Sequence, residues 1–289
     1  LITKDIADFL REERFGVGVS IDGFDDGQNH ARRMHSHKAS TDLTLRGIGL
    51  LQAQEIPFCL NVVVTRNNVE HLPEITRHFA NLGCTDFYFN PFMPAGRGEG
   101  SIDDNGIAPE ALFDAMVGVL DEIVDLRKRG CSVYAKNISY LVLNMVSDKY
   151  FYMCQKAPCG AGSGVLSIDV DGSVYVCDDF NGLPEFQCGD ILTDDIATIR
   201  TRARCSSCAL RLPEQLTPCN TCPWKAICCS GCASGAYFGK GDINQSTPWC
   251  RYFDRMIRHL FEAIAEGLDP YSLIPENLQK AKPSSGGNQ

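Results

Sequence analysis

The sequence contains no apolar run close to the ~20 residues needed to cross a bilayer, and no signal peptide can be recognised at its start. These absences argue against a membrane-spanning or secreted protein. Basic residues form no long stripe, and the formal net charge is −9, which argues against a nucleic-acid partner. With 289 residues, 44% hydrophobic and 22% charged, the chain has the composition of a globular protein with one large domain or two.

Cysteine, in contrast, is abundant. No histidine lies among the ordered cysteines, and sets of thiolates alone suit zinc or iron–sulfur clusters. Eight thiolates are enough for two four-cysteine sites. The array reads Cys159-x12-Gly172-x4-Cys177, then Cys219-x2-Cys222-x5-Cys228-x3-Cys232, then Cys250, with Cys154 upstream of Cys159.

The other cysteines show no comparable order. Cys59 and Cys84 lie in apolar segments, where buried structural thiols are common. Cys205-x2-Cys208 is compatible with a redox pair, an additional ligand pair or no function. Because the chain is much larger than disulfide-dense secreted domains, we expect reduced cysteines in a cytoplasmic metalloprotein.

Strands and helices alternate in the first half of the sequence. Val17 to Ile21 is a short apolar segment, and Phe58 to Thr65 has the continuous apolar composition of a strand buried on both faces. This alternation predicts βαβ units and a parallel sheet, with functional residues in the loops that follow the strands. The predicted helices cover residues 3–14, 40–54, 69–82 and 109–129, and the predicted strands cover 17–21, 58–65 and 85–92.

From about residue 150 the sequence becomes rich in loops and cysteines. An Asp171-Gly172 turn between two alternating segments predicts a β-hairpin, and short helices are predicted at 194–203 and 250–266. Metal sites can stabilise a small domain that lacks a large apolar core. We therefore predict domains over 1–145 and 146–266, followed by a loose tail over 267–289.

The array matches C-x(9–15)-G-x4-C, gap, C-x2-C-x5-C-x3-C, gap, C at every spacing, which is the SPASM motif. The chain therefore resembles radical S-adenosylmethionine enzymes with a C-terminal SPASM domain, of the anaerobic sulfatase-maturating type. Residues 17–23, Arg32 and residues 62–65 resemble the later part of the partial (β/α)6 barrel of these enzymes. The resemblance covers roughly residues 1–265. It implies an α/β fold, with the later barrel strands over 1–145 and a loop-rich SPASM iron–sulfur domain over 146–266.

One family feature is absent from the sequence. Radical enzymes of this kind hold their S-adenosylmethionine cluster with a C-x3-C-x2-C triplet near the first barrel strand, and no such triplet occurs here. The chain also begins with Leu1 rather than methionine. We therefore expect the parent protein to bind S-adenosylmethionine and a third [4Fe–4S] cluster, and this piece alone not to cleave S-adenosylmethionine.

The resemblance assigns ligands to two auxiliary [4Fe–4S] clusters. Full four-cysteine ligation would leave no open iron for substrate, which implies electron transfer or structural support. Zinc is the alternative for either set. The implied first cluster takes Cys154, Cys159, Cys177 and Cys232, and the second takes Cys219, Cys222, Cys228 and Cys250.

An acidic pair directly follows one of these ligands. Asp178 comes immediately after Cys177, and the resemblance implies that it is the general base that takes a proton from the substrate after hydrogen abstraction. The alternative is a turn-capping aspartate, a role that Asp179 could fill equally well.

Two residues of the first half resemble contacts to S-adenosylmethionine. The resemblance implies that Ser20 binds the ribose and Arg32 the carboxylate, which suits a hydroxyl and a guanidinium fork. A strand-end turn and a solvated arginine are the alternatives. Arg33 is adjacent, so the register could differ by one residue.

Three hypotheses of function follow. The first is a radical enzyme that oxidatively modifies a peptide or protein side chain, by formylglycine formation or by a thioether or carbon–carbon crosslink in a ribosomal peptide. Its expected partners are that substrate and an electron donor or acceptor such as a flavodoxin or ferredoxin. The second is an iron–sulfur electron-transfer or scaffold module that does not cleave S-adenosylmethionine. The third is a zinc-stapled binding protein.

Overall fold

A computed structural model describes residues 2–279. The described chain divides into two compact units. The first contains the chain up to Phe92 together with Ser101–Ser139, and the second contains Met93–Gly100 and the chain from Tyr140 onward. The division falls inside a helix, Lys136–Val146, which also contains the domain boundary predicted at residue 145.

The first unit is built on a parallel four-stranded sheet, in which the strands lie in chain order. The alternation of strands and helices in the sequence therefore predicted the α/β class correctly, and the sheet is open rather than closed. The strands are β1 (Val17–Ser20), β2 (Phe58–Val64), β3 (Asp86–Pro91) and β4 (Tyr134–Ala135), and the helices are α1 (Lys4–Glu12), α2 (Thr41–Ala53), α3 (Leu72–Asn81), α4 (Ile102–Asn105), α5 (Pro109–Lys128) and α6 (Lys136–Val146).

The sheet has one strongly buried face. Leu60, Val62 and Val64 of β2 are 0% exposed, and Phe87 and Phe89 of β3 are equally inaccessible at 0 and 1%. Each such side chain stabilises the fold by roughly 1.5–3 kcal/mol relative to an exposed one. Because side chains alternate along a strand, the residues between them lie on the opposite face, where polar groups are tolerated.

The second unit contains an antiparallel three-stranded sheet with strands in chain order and several short helices. The predicted hairpin is confirmed. Gly172 has φ +96°, a conformation that favours glycine at the Asp171-Gly172 turn. The strands are β5 (Ser167–Ile168), β6 (Ser173–Tyr175) and β7 (Gln187–Asp190), and the helices are α7 (Ile196–Arg204), α8 (Ser207–Leu210), α9 (Lys225–Cys228), α10 (Ala233–Lys240), α11 (Cys250–Ala265) and α12 (Glu276–Gln279).

A small apolar core supports this second sheet. Phe180 and Phe186 stack with ring centroids 3.9 Å apart, and Ile199 of α7 is fully buried in the same cluster. Cys159 and Cys177 pack against this cluster, so the core lies directly beside two of the ordered cysteines.

Residues 267–279 differ from the predicted loose tail. Pro270–Leu273 forms a 3-10 turn ahead of α12, and Leu273 and Ile274 are 2 and 0% exposed. Burial of these two apolar side chains accounts for the order of this segment. The predicted tail over residues 280–289 lies outside the described residues. No helix within residues 2–279 is long and apolar enough to cross a membrane.

Candidate metal centres

The first predicted ligand set lies around one cavity of the second unit. Cys154, Cys159, Cys177 and Cys232 all line this cavity. The rest of its wall is mostly apolar and consists of Met153, Ala161, Val165, Phe180, Ala233 and Ser234.

Hydrogen bonds between loops bring these cysteines together. The amide of Gly160 donates to the carbonyl of Met153 at 3.1 Å, which closes the loop that carries the first two cysteines. The amide of Gly162 donates to the carbonyl of Val176 at 2.8 Å, which joins that loop to the end of β6 and therefore to Cys177. Cys232 caps α10, where the helix N-terminus favours a negatively charged sulfur.

The second predicted set lies around a separate cavity in the same unit. Cys219 begins a 3-10 turn, and the amide of Cys222 donates to its carbonyl at 3.0 Å. Cys228 is the last residue of α9, and Cys250 is the first residue of α11. The wall is formed by Cys219, Cys222, Cys228 and Cys250 together with Pro218, Lys225, Ser230, Ser246 and Thr247.

Burial shapes the chemistry of these thiols. Desolvation raises the pKa of Cys154 and of Cys228 to about 12 in each case, and it also raises the pKa of Cys177, Cys232 and Cys250. An isolated thiolate is therefore disfavoured in both cavities. The positive charge of a bound metal reverses this preference, so metal binding would release protons from these sites.

In the described part of the chain, no group of three or more His, Cys, Asp or Glu side chains is arranged to hold one metal ion.

The acidic pair after Cys177 has two sets of contacts. Both residues are exposed, and the thiol of Cys177 lies 3.2 Å from Oδ1 of Asp178. The carboxylate of Asp179 turns toward the first cavity: it accepts a hydrogen bond of 2.5 Å from the hydroxyl of Ser234, and its Oδ2 lies 4.0 Å from the sulfur of Cys232. Desolvation of this carboxylate raises the pKa of Asp179, while the Ser234 hydrogen bond acts in the opposite direction.

The place of Asp179 and Ser234 beside the first cavity was not evident from the sequence. Cys208, which had no assigned role, is also buried in this unit, and desolvation raises its pKa to about 12. Cys205 is exposed, so the two members of the Cys205-x2-Cys208 pair have different environments.

In the first unit, Arg32 is paired with a buried carboxylate. The guanidinium Nε and Nη2 of Arg32 each lie 2.7 Å from an oxygen of Asp22, which is 5% exposed and also accepts the amide of Val63 at 2.8 Å. Arg33 donates instead to the carbonyls of His30 and His37, so the two neighbouring arginines have different partners.

Ser20 belongs to a polar row on the less buried face of the first sheet. It is exposed at the end of β1 and pairs in register with Asn61, which in turn pairs with Tyr88. A Cβ on Gly18 would lie 3.1 Å from the side-chain nitrogen Nδ2 of Asn61. The Asn61 side chain therefore extends across β1 on this face. The row offers hydrogen-bonding groups suited to a polar ligand.

Comparison with known proteins defines the class of the second unit. A family model described as SPASM, an iron–sulfur cluster-binding domain, matches residues 159–223. In the chain as a whole, the fold is that of native anSMEcpe solved with bound AdoMet, with a TM-score of 0.78 at 19% identity over 93% of this chain and 73% of that one. The predicted fold class is thereby confirmed.

Several proteins resemble the chain over most of its length. It is 23% identical to a serine-type anaerobic sulfatase-maturating enzyme of Bacteroides thetaiotaomicron, over 97% of the chain and 71% of that protein. It is 25% identical to an AdoMet-dependent heme synthase of Methanosarcina barkeri, over 87% of the chain and 72% of the relative. It spans 62% of an uncharacterised protein of Archaeoglobus fulgidus, which is 22% identical over 92% of the chain.

Together, the domain match and the sulfatase-maturating relatives show that the chain resembles radical S-adenosylmethionine/SPASM proteins of the maturase type, and the structural likeness shows the same fold. This confirms the resemblance inferred from the cysteine spacing.

Proposed function

We propose that this chain holds two auxiliary [4Fe–4S] clusters for a radical S-adenosylmethionine enzyme that oxidises a peptide or protein side chain. The observation that carries the proposal is the sorting of eight cysteines into two quartets, each around its own cavity. The first cluster would be held by Cys154, Cys159, Cys177 and Cys232, and the second by Cys219, Cys222, Cys228 and Cys250.

The donor chemistry suits iron–sulfur clusters. Each quartet offers four sulfurs that line one cavity, which suits a group that binds each sulfur through a different iron. The wall of the first cavity is mostly apolar, and the polarity around a cluster influences its potential. When bound, such clusters accept and pass on single electrons.

Asp178 is proposed as the base for the substrate. Oxidation of a side chain at carbon removes a hydrogen atom, a proton and an electron. The Asp178 carboxylate is exposed next to Cys177 of the first quartet, so a substrate can reach it. It can therefore take the proton from the substrate. The neighbouring quartet would hold the group that can accept the electron.

Arg32 and Ser20 are proposed to hold S-adenosylmethionine. The ion pair with Asp22 fixes the orientation of the Arg32 guanidinium, whose side chain is still 27% exposed and can donate further hydrogen bonds to a carboxylate. Ser20, and with it Asn61, offers polar groups to the ribose. The family's C-x3-C-x2-C triplet is not in this sequence, so cleavage of S-adenosylmethionine is assigned to a protein that also contains such a segment.

The proposed reactions are formylglycine formation and thioether or carbon–carbon crosslinking in a ribosomal peptide. The similarity to a sulfatase-maturating enzyme supports a peptide or protein substrate, and a flavodoxin or ferredoxin is the proposed electron partner in the cytoplasm. A heme-forming reaction is the second candidate, because a relative of similar identity is named a heme synthase.

Iron and acid-labile sulfide content after anaerobic purification and reconstitution tests the proposal. About eight irons and eight sulfides per chain, with the broad visible absorption of iron–sulfur proteins, are expected. A colourless protein that retains zinc and takes up no iron would overturn it and leave a zinc-stapled fold. A chain that binds about eight irons but supports no substrate oxidation, when joined to the triplet segment, would be an electron-transfer or scaffold module.

A further inference from the structure

Arg211, which directly follows α8, is a buried cation in the second unit. Only 5% of the residue is exposed. Its guanidinium donates four hydrogen bonds, and every acceptor is a backbone carbonyl: Ile243 at 2.8 Å, Gln245 at 2.8 Å, Gly231 at 3.2 Å and Ser230 at 3.4 Å. In the part of the chain that the structure describes, no acidic side chain forms an ion pair with it.

A buried charge without a counter-charge is costly. Removing one partner of a buried ion pair is strongly destabilising, because the remaining charge is left uncompensated. Carbonyl dipoles solvate Arg211 only partly, and desolvation lowers its pKa. A residue in this position therefore points to negative charge nearby.

The hydrogen bonds of Arg211 reach segments that belong to both quartets. Ser230 and Gly231 lie between Cys228, a member of the second quartet, and Cys232, a member of the first. Ile243 and Gln245 precede Cys250, and the intervening Ser246 and Thr247 line the second cavity. A single side chain thus joins the segments on which both ligand sets depend.

We propose that Arg211 is the shared counter-charge of the two clusters and sets the reduction potential of both. The inference rests on the proposed function, since it requires both clusters. Four thiolates and an oxidised core carry a net charge of about −2, and one added electron makes this about −3. A fixed buried cation stabilises the more negative, reduced state, so it raises both potentials.

The test is a redox titration followed by electron paramagnetic resonance, in which a chemical reductant supplies one electron to each cluster. Arg211→Gln removes the charge and keeps some hydrogen-bonding capacity, whereas Arg211→Lys keeps the charge and loses the planar fork. Arg200→Gln is the matched control, because Arg200 is an exposed arginine of the same unit.

We expect Arg211→Gln to shift the reduction equilibrium of both clusters at least tenfold toward the oxidised state, or ~59 mV per one-electron couple. Arg211→Lys and Arg200→Gln should retain about eight irons and potentials close to those of the wild type. If Arg211→Gln loses iron while Arg211→Lys keeps it, the charge is needed for cluster binding, which also supports the proposal.

Three outcomes would overturn it: unchanged potentials in an iron-replete Arg211→Gln protein, a shift in only one cluster, or equal effects of the Lys and Gln substitutions. Loss of iron in both Arg211→Gln and Arg211→Lys would count as equal effects, and it would assign Arg211 a purely positioning role. A wild-type chain that takes up no iron would instead refute the proposed function itself.

Discussion

Cys228 and Cys232 are separated by only three residues, yet they line different cavities. The intervening Cys229, Ser230 and Gly231 all have positive φ, at +53°, +64° and +69°. Left-handed backbone at consecutive non-glycine positions is strained. The turn follows α9 and leads directly into α10, so the two cysteines are directed to separate sites and the two quartets form one interleaved structure.

The interleaving predicts that single ligand substitutions remove one cluster each. Cys228→Ala should lose about four irons and keep the first cluster, while Cys232→Ala should lose about four irons and keep the second. Each loss should also destabilise the second unit, because metal binding and folding are coupled in small metal-stapled domains. Iron analysis with electron paramagnetic resonance distinguishes the two variants.

Cys205→Ala is the matched control, because Cys205 is an exposed thiol of the same unit and lines neither cavity. It should retain about eight irons. Iron content equal to that of the wild type in Cys228→Ala would contradict the ligand assignment.

Gly162 is predicted to be essential for the first quartet. It has φ +72°, and a Cβ there would overlap the carbonyl group of Ala203. Gly162→Ala should lower the free energy of unfolding by about 2–4 kcal/mol, since left-handed alanine costs ~1–2 kcal/mol and a backbone clash adds a similar amount. Iron retention in the first site should fall as well, because the Gly162 amide holds the loop against Val176.

Gly182→Ala separates these two contributions. Gly182 has φ +83°, but no atom lies within 4 Å of the position that a Cβ would take, so only the backbone cost of ~1–2 kcal/mol is expected. Urea denaturation of the two variants measures the difference. Equal destabilisation would show that the contact with Ala203 relaxes without cost.

The sequence predicted the parts of the molecule that depend on local periodicity and spacing. The β1 to β3 strands and the α2, α3 and α5 helices follow from apolar patterns, and the hairpin follows from Asp171-Gly172. The α6 and α10 helices were not predicted; α10 directly follows Cys232 in the cysteine-rich part of the sequence. Contacts between distant residues, such as Arg211 with Ile243, have no local signal and required the structure.

The Asp22–Arg32 pair predicts a loss of cofactor affinity on substitution. Arg32→Ala should weaken binding of S-adenosylmethionine by roughly 10- to 100-fold, the usual range for a hydrogen bond to a charged group. Arg33→Ala is the matched control, since Arg33 donates to backbone carbonyls and should leave affinity unchanged. Isothermal titration calorimetry checks both. A loss with Arg33→Ala alone would move the proposed contact by one residue.

The burial of the Cys84 thiol predicts that the protein becomes less stable at alkaline pH. It is 2% exposed, and desolvation raises its pKa from 9.0 to about 11. Because the unfolded thiol loses its proton at lower pH than the folded one, the stabilisation is complete below about pH 9 and is lost as the pH rises toward 11. The loss should total roughly 2–3 kcal/mol.

The free energy of unfolding, measured by urea denaturation between about pH 8 and 11, should therefore depend less on pH in Cys84→Ala than in the wild type. The two slopes should differ by about 1.4 kcal/mol per pH unit. Cys131→Ala, a change of a half-buried cysteine in the same unit, should follow the wild-type slope. Parallel profiles for Cys84→Ala and the wild type would refute the assignment of this dependence to Cys84.

Asp178 and Asp179 are adjacent, but their contacts predict different phenotypes. Asp178 faces solvent next to the Cys177 sulfur, whereas the carboxylate of Asp179 is bound by Ser234 and lies close to Cys232. In a chain that also carries the triplet segment, Asp178→Asn should reduce product formation by about 10²- to 10⁴-fold, because the amide cannot take the proton. Hydrogen abstraction, measured as release of deoxyadenosine, should persist, and iron content should be unchanged.

Asp179→Asn is the matched comparison, because it changes the same carboxylate to the same amide one residue away. The substitution weakens the contact with Ser234 beside the first quartet, so it should change the potential or the iron content of that cluster while product still forms. Mass spectrometry of the peptide and iron analysis separate the two roles. Loss of product in Asp179→Asn at full iron content, with activity retained in Asp178→Asn, would transfer the role of base to Asp179.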